Sequence, residues 1–123
     1  MPVYGRHFEP GQLQFISTST YRRGRLFTCQ RFCWILVETL RQLCQETGFL
    51  LIGWVLMPDH FHLLIRPQPA SATVRFMREL KKRSAQQIIA ALDRNRQHPH
   101  CRAMLSKLQL PPSVHSDANH RVW

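Results

Sequence analysis

The residues that invite a chemical interpretation are two histidines separated by one apolar residue, His60 and His62 in the stretch GWVLMPDHFHLLIRP. Side chains on a β-strand alternate between its two faces, so both imidazoles would project from one face if this stretch is extended. Their backbones would then be about 6 to 7 Å apart, a separation from which two rings can reach one cation. The spacing is compatible with a divalent metal site, with Mg²⁺, Mn²⁺ or Zn²⁺ as the candidate ions.

Two imidazoles leave the coordination shell of such an ion incomplete, so a third protein ligand and water or substrate would be needed. Beside a nucleic acid, the ion would polarise a phosphodiester while a nucleophile attacks it. The alternative interpretation is that His60 and His62 are ordinary, partly buried side chains at a sheet surface. A second pair with the same spacing, His98 and His100, lies in a polar loop with Pro99 and without strand signals, and is the weaker metal candidate.

The charge of the chain indicates a polyanionic partner. Its 123 residues include 17 Lys and Arg against 7 Asp and Glu, a formal net charge of +10. Nucleic acid is the commonest partner of such proteins, and no segment approaches the roughly 20 apolar residues that span a membrane. The basic residues cluster in a turn and on a predicted helix. The predicted DNA-binding residues are Arg22, Arg23, Arg25, Arg75, Arg78, Lys81, Lys82 and Arg83.

The periodicity of the apolar residues predicts the elements that must position these side chains. Strands are predicted at 13–20, 49–57 and 60–66, and helices at 30–47, 71–93 and 102–108. The final residues, HRVW, are typical of the start of another strand. The order strand, helix, strand, strand, helix, strand is that of an α+β, ferredoxin-like split βαβ fold, with two helices on one face of an antiparallel sheet. The length fits one domain, 1–123.

This architecture predicts which side chains face the helices. In the third strand, Phe61, Leu63 and Ile65 should lie beneath the helices, and the histidines should lie on the opposite face. The second strand is expected to be largely buried, and Trp34 and Trp54 are expected in the core. The beginning of the chain lacks the charged and apolar regions of a signal peptide, so a cytoplasmic protein is expected.

The stretch MPDHFHLLIRP resembles the histidine–hydrophobe–histidine (HUH) motif of single-tyrosine transposases, in particular the REP-associated tyrosine transposases, which act on palindromic repeats in bacterial genomes. HFEPGQLQFISTSTYRRGRLF resembles the first strand and basic turn of that group. GFLLIGWVLMPDHFHLLIRP is similar to its central hairpin, and VRFMRELKKRSAQ to its second helix. The likeness extends over nearly the whole chain.

The resemblance implies a ferredoxin-like domain that binds hairpin or single-stranded DNA and cuts one strand, as in DNA transposition and recombination. In this family a tyrosine attacks the phosphodiester and becomes joined to the 5′ end, aided by a divalent ion, Mg²⁺ or Mn²⁺, on the two histidines. The resemblance therefore makes His60 and His62 the metal ligands, with Phe61 as the hydrophobe between them. It also implies a bacterial protein that associates with the nucleoid.

The chain departs from the family pattern at the nucleophile. The family's tyrosine lies on a helix after the last strand, with a third metal ligand near it, whereas the tyrosines here are Tyr4 and Tyr21, both well before the histidines. No catalytic residue is assigned, and a C-terminally incomplete, impaired family member is expected. An uncovered sheet edge and apolar face would then favour self-association, for example as a homodimer. Two other functions stay open: a non-catalytic binder of hairpin DNA, and a small basic RNA-binding protein without a metal.

Overall fold

A three-stranded antiparallel sheet with helices packed on one face forms the described part of the chain, which comprises residues 11–68, 72–111 and 119–123 of a computed structural model. The strands are β1 (Gln14–Ser19), β2 (Leu50–Met57) and β3 (His60–Arg66), and the α-helices are α1 (Gln30–Thr47), α2 (Ala72–Arg94) and α3 (Pro99–Leu108). The strand order β1-β3-β2 places the histidine-bearing strand at the centre. The predicted α+β class is confirmed.

Helix α1 has the predicted bounds because its apolar residues recur at the spacing of one helical face. Phe32, Leu36 and Leu40 are buried on that face. The helix ends at Gly48, whose backbone is left-handed (φ 74°) and whose N–H donates to the carbonyl of Cys44 at 3.0 Å. Glycine adopts this conformation without steric cost, so the chain can turn back directly into β2.

The alternation of side chains along β3 divides the core from the candidate site. Phe61, Leu63 and Ile65 are 1, 2 and 0 % exposed beneath the helices, whereas His60 and His62 are partly exposed on the opposite face. Burying each of these apolar side chains contributes about 1.5 to 3 kcal/mol to stability. A one-residue shift in the register of β3 would move all three to the exposed face, and that stabilisation would be lost. The predicted division between the two faces is confirmed.

The prediction that β2 is largely buried is wrong, as is the placement of two tryptophans in the core. Trp34 is 67 % exposed on α1 and Trp54 is 48 % exposed on β2. In the described sheet β2 is an edge strand, and its pairing with β3 shifts between Leu51 and Gly53. An edge strand has a neighbour on one side only, so an apolar sequence there does not ensure burial.

Residues 119–123 pack against the core, and the strand predicted from HRVW is not found among the described residues. His120 forms a single antiparallel bridge with Gln109. Val122 is buried, and its carbonyl accepts from the N–H of Tyr21 at 2.7 Å. Trp123 stacks on Phe27, with ring centroids 5.7 Å apart. This segment therefore fixes the turn after β1 against the core.

The face of the sheet that carries the histidines also has exposed apolar side chains. Phe15, Val55 and Met57 lie on this face and are 58, 52 and 41 % exposed. Self-association through this face stays a prediction.

Among the helices that the structure describes, none is both long and apolar enough to cross a membrane.

Candidate metal centre and nucleic-acid interface

The two histidines of β3 lie side by side on the helix-free face of the sheet. The ring centroids of His60 and His62 are 5.0 Å apart, and the rings meet edge to face at 78°. Phe15 of β1 stacks on the His62 ring at 5.3 Å. The structure thus brings the two predicted ligands together on one face; their role in binding a metal stays a prediction.

A polar partner holds one nitrogen of each ring. Nδ1 of His60 lies 2.7 Å from Oδ1 of Asp59, and Nδ1 of His62 lies 2.6 Å from Oγ of Ser17. A carboxylate only accepts hydrogen bonds, so Nδ1 of His60 carries a proton and its Nε2 has the free lone pair when the ring is neutral. Engaging Nδ1 in this way fixes the orientation of a metal-binding imidazole and leaves Nε2 for the metal.

Asp59 connects the histidines to the basic turn, residues 21–25. Its Oδ2 accepts from Nε of Arg23 at 2.9 Å, and Nη1 of Arg23 donates to Oγ of Ser19 at 2.9 Å. The hydrogen bond with His60, followed by that from Arg23, lowers the pKa of the Asp59 carboxyl below its ordinary value. Asp59 therefore stays ionised at neutral pH and can keep its hydrogen bond to the His60 ring.

The basic turn has a strained backbone. Arg22 and Arg23 both lie in the left-handed region, at φ 53° and 55°. That region costs a residue with a side chain about 1 to 2 kcal/mol. The hydroxyl of Thr20 closes the turn by donating to the carbonyl of Gly24 at 2.8 Å and to that of Asp59 at 3.1 Å. Backbone strain of this kind is found mainly at functional sites, because surrounding contacts must maintain it.

The donors of this centre fit part of the coordination shell of a divalent ion. Two imidazole nitrogens are available on one face, but the described residues include no group of three His, Cys, Asp or Glu side chains that could hold a metal. A six-coordinate ion would have to take its other ligands from water, from phosphate oxygens or from a further side chain. The arrangement could therefore supply two of the ligands that such an ion needs.

The predicted DNA-binding residues fall into three groups. Two already form ion pairs: Arg23 with Asp59, and Arg83 with both Glu46 and Glu79. Lys81 is half-buried. Its pKa is lowered mainly by this burial and to a smaller extent by the positive charge of Arg121. The other five are exposed and have no ion pair with any residue in the described ranges: Arg22, Arg25, Arg75, Arg78 and Lys82. DNA binding by all eight stays a prediction.

Arg121, which sequence reasoning did not select, links the two basic clusters. Its guanidinium lies 5.6 Å from the centre of the Tyr21 ring, and that of Arg22 lies 5.1 Å from the same ring. The charge of Arg121 also helps to lower the pKa of Lys81 on α2, so Arg121 lies within electrostatic reach of both clusters. Positive charges crowded together in this way repel one another until a polyanion binds.

In the second His-x-His pair, the side chain of His98 has a structural role. His98 is the N-cap of α3, and its Nδ1 accepts from the backbone N–H of His100 at 3.2 Å. Such a cap satisfies one of the free N–H groups at the start of a helix. The cap accounts for a histidine at position 98.

The residues that sequence reasoning missed are Asp59, Ser17 and Arg121. Asp59 directly precedes His60, and a carboxylate in that position can reach Nδ1 of the histidine ring. Ser17 becomes a partner of His62 only through the register of β1 on β3, which aligns the two residues. No local signal in the sequence reveals that register.

Comparisons with known proteins agree with the fold. The family model described as "Transposase IS200 like" matches residues 9–105. A solved REP-associated tyrosine transposase bound to a REP hairpin is 25 % identical, with a TM-score of 0.60 over 71 % of this chain and 53 % of that chain. The match thus spans about half of that structure.

A second solved structure, of a protein from Deinococcus radiodurans R1 assigned to the transposases, is 24 % identical. Its TM-score is 0.59 over 80 % of this chain and 75 % of that chain, and at this identity it supports the fold alone. No curated protein matches the sequence significantly.

Proposed function

The chain belongs to the family of IS200-like transposases, and from this premise we propose that it binds hairpin or single-stranded DNA and a divalent metal ion, the two binding functions that metal-dependent single-strand cleavage and strand transfer require. The observation that carries the proposal is the pair of rings of His60 and His62 on one sheet face, each held through Nδ1. A similar protein is bound to a REP hairpin, which supports hairpin DNA as the ligand. The proposed setting is the bacterial cytoplasm, at the nucleoid.

The cationic surface formed by the turn, Arg121 and α2 would bind the phosphate backbone. Arg22 and Arg121 lie over one aromatic ring, where their side chains are restrained before DNA arrives. A restrained cation loses less side-chain entropy on binding than a mobile one. Arg23 has a different role, because its bonds to Asp59 and Ser19 make it a support for the turn and for the His60 ring.

A divalent ion, Mg²⁺ or Mn²⁺, would be held in part by Nε2 of His60 and Nε2 of His62. When bound, such an ion polarises the scissile phosphodiester and offsets the charge that develops during attack. Asp59 keeps the proton of His60 on Nδ1, and Ser17 restrains the ring of His62. The chain's own contribution would therefore be a fixed pair of nitrogen donors on the helix-free face of the sheet.

We assign no nucleophile to the chain. Tyr4 lies outside the described residues. Tyr21 packs against the core with guanidinium groups over its ring, which suits a structural role. We therefore propose that residues 1–123 bind DNA and a metal ion but do not join covalently to DNA on their own.

The test of this function is binding to a fluorescent palindromic DNA hairpin over a series of salt concentrations. We expect affinity to fall steeply with salt, because each phosphate contact contributes about 0.7 to 0.9 to the logarithmic slope. The triple variant Arg22→Ala, Lys81→Ala, Arg121→Ala should bind at least tenfold more weakly and with a slope smaller by about 2 to 3. The control is Arg41→Ala, an exposed arginine of α1 whose partner is Glu38.

Three results would count against the proposal in different ways. Equal affinity of the triple variant and the Arg41→Ala control would show that the cationic surface does not bind DNA. Tighter binding to duplex RNA, without uptake of Mn²⁺, would support the RNA-binding alternative. A protein–DNA adduct that survives denaturation in the presence of Mn²⁺ would refute the absence of a nucleophile.

Asp59 should affect the metal site without being a ligand. We expect Asp59→Ala to weaken Mn²⁺ binding about 10- to 100-fold, the usual effect of removing the partner that orients a metal-binding histidine. Titration of Mn²⁺ followed by electron paramagnetic resonance measures this directly. The control is Asp93→Ala, which also removes an aspartate from an ion pair with an arginine, Arg96.

Arg23→Ala separates orientation of the ring from the charge of the carboxylate. It removes the arginine that pairs with Asp59 but leaves the carboxylate on His60, so the loss of Mn²⁺ affinity should be smaller than for Asp59→Ala. Equal losses in both variants would mean that collapse of the strained turn, and not the hydrogen bond to His60, controls the site.

A further inference from the structure

A groove beside α3 is lined neither by His60 and His62 nor by any of the predicted DNA-binding residues. Its volume is about 280 Å³, and it is lined by Arg96, Arg102, Leu105, Ser106, Gln109 and His120. The α3 residues of this set recur every three or four positions, so they form one face of the helix. Arg96 approaches from the segment before α3, and His120 from the segment that bridges to Gln109.

The groove presents hydrogen-bond donors suited to an anion. Arg102 is exposed and has no ion-pair partner within the described ranges. Arg96 donates from Nη2 to Asp93 at 2.5 Å, which leaves its Nε and Nη1 for another acceptor. Ser106 and Gln109 add a hydroxyl and an amide, and buried Leu105 forms an apolar floor. Two planar guanidinium groups with neutral donors beside them match the several acceptor oxygens of a phosphate.

The groove adjoins the cationic surface described above. The N–H of Arg121 donates to the carbonyl of Leu108, and the N–H of Leu110 donates to that of Asn119, both at 2.9 Å. These bonds hold residues 119–121 against the end of α3. Successive side chains of an extended segment point to opposite sides, so His120 lines the groove while Arg121 lies over Tyr21.

Helix α3 also packs against the basic turn itself. A Cβ added to Gly24 of that turn would lie 3.2 Å from Sδ of Met104 and 3.4 Å from a methyl group of Leu108. This close approach leaves little space between α3 and the turn. A nucleic-acid backbone that leaves the turn can therefore continue along the surface of α3.

We propose that the α3 groove binds phosphate groups of the nucleic-acid backbone and so extends the DNA contact beyond the turn and α2. This proposal rests on the DNA binding proposed above. The phosphate should lie at the Arg96–Arg102 end, because the Gln109 end is the C-terminus of α3, where the helix dipole disfavours anions.

The test compares a short hairpin with the same hairpin carrying a single-stranded extension. The double variant Arg96→Ala, Arg102→Ala should bind the extended DNA about tenfold more weakly, as expected for the loss of one or two charge-assisted hydrogen bonds. Its salt slope should fall by about 1 to 2. Lys107→Ala is the control, since it removes one charge from an exposed position of the same helix outside the groove. All these side chains are exposed, so folding should be unaffected.

Two arms distinguish the possible failures. If the wild type binds DNA and the double variant binds extended DNA equally well, the groove proposal is overturned while DNA binding stands. If the wild type binds no DNA, the function proposed above fails, and titration with inorganic phosphate decides whether the groove is an anion site. Saturable NMR shifts at residues 102–106 that vanish in the double variant would support one, and their absence would overturn it.

Discussion

Replacing both His60 and His62 with alanine is expected to weaken Mn²⁺ binding by more than a hundredfold. The two rings are the nitrogen donors that the structure places together on the exposed sheet face, with centroids 5.0 Å apart. Loss of a residue that only orients a ligand costs about 10- to 100-fold, so loss of two ligands must cost more. Titration of free Mn²⁺ by electron paramagnetic resonance gives the affinity.

The matched control for this variant is the other His-x-His pair. His98→Asn with His100→Ala removes the same number of imidazoles, and asparagine at position 98 can still cap α3. This control should bind Mn²⁺ like the wild type. If instead it loses the ion and the His60, His62 variant keeps it, the metal site lies at α3 and the proposed centre is wrong.

The same variant separates metal binding from DNA binding. His60 and His62 are partly exposed, and neither belongs to the cationic surface formed by the turn, Arg121 and α2. In EDTA, the His60→Ala, His62→Ala protein should therefore bind hairpin DNA with wild-type affinity. A large loss would mean that these rings contact DNA directly, which their exposed face and the stacked ring of Phe15 would permit.

The faces of β3 could be predicted from sequence because alternation is a local property. Phe61, Leu63 and Ile65 on one side and the histidines on the other follow from a two-residue period within a single strand. The partners of the histidines could not all be predicted in this way. Asp59 is adjacent in sequence but acts through the geometry of a turn, and Ser17 reaches His62 from 45 residues away.

The basic clusters show the same division between local and distant information. The sequence shows that basic residues cluster in the turn and on α2. It does not show which of them are already paired with a carboxylate. Arg23 is paired with Asp59, 36 residues away, and Arg83 with Glu46, 37 residues away. Charge counted along the sequence therefore overstates what is available to DNA. The clusters predicted from sequence also leave out Arg121, which is distant from both in sequence but lies near Tyr21 and Lys81 in the structure.

The prediction that Trp34 and Trp54 lie in the core is wrong because burial depends on a residue's neighbours and not on its type. Trp34 and Trp54 are apolar in character but lie on an exposed helix face and an edge strand. Trp123 belongs to HRVW, the segment that the sequence predicts to be the start of a strand. It packs between Phe27 and Phe61, with centroid distances of 5.7 and 5.1 Å. The one tryptophan without a predicted environment is thus the one in contact with the core beneath the histidines.

Trp123→Ala should lower the free energy of unfolding by about 3 to 5 kcal/mol, the usual cost of removing a large aromatic side chain from a packed site. Besides the two ring contacts, Nε1 of Trp123 donates to Oγ of buried Ser84 at 3.0 Å. A domain of this size is stable by only about 5 to 15 kcal/mol, so the variant should melt far earlier in urea. Trp34→Ala is the control, and its exposed position predicts a change within about 0.5 kcal/mol.

A second variant keeps this prediction testable if Trp123→Ala does not fold. Trp123→Phe retains most of the aromatic packing but loses the hydrogen bond to Ser84, so we expect a cost of about 1 to 3 kcal/mol. Because Phe61 lies directly between the two histidines and contacts Trp123, loosened packing should also weaken Mn²⁺ binding in the folded fraction. Full stability of Trp123→Phe together with unchanged stability of Trp123→Ala would show that residues 119–123 do not pack on the core in solution. The turn that supports Asp59 would then lack its proposed anchor.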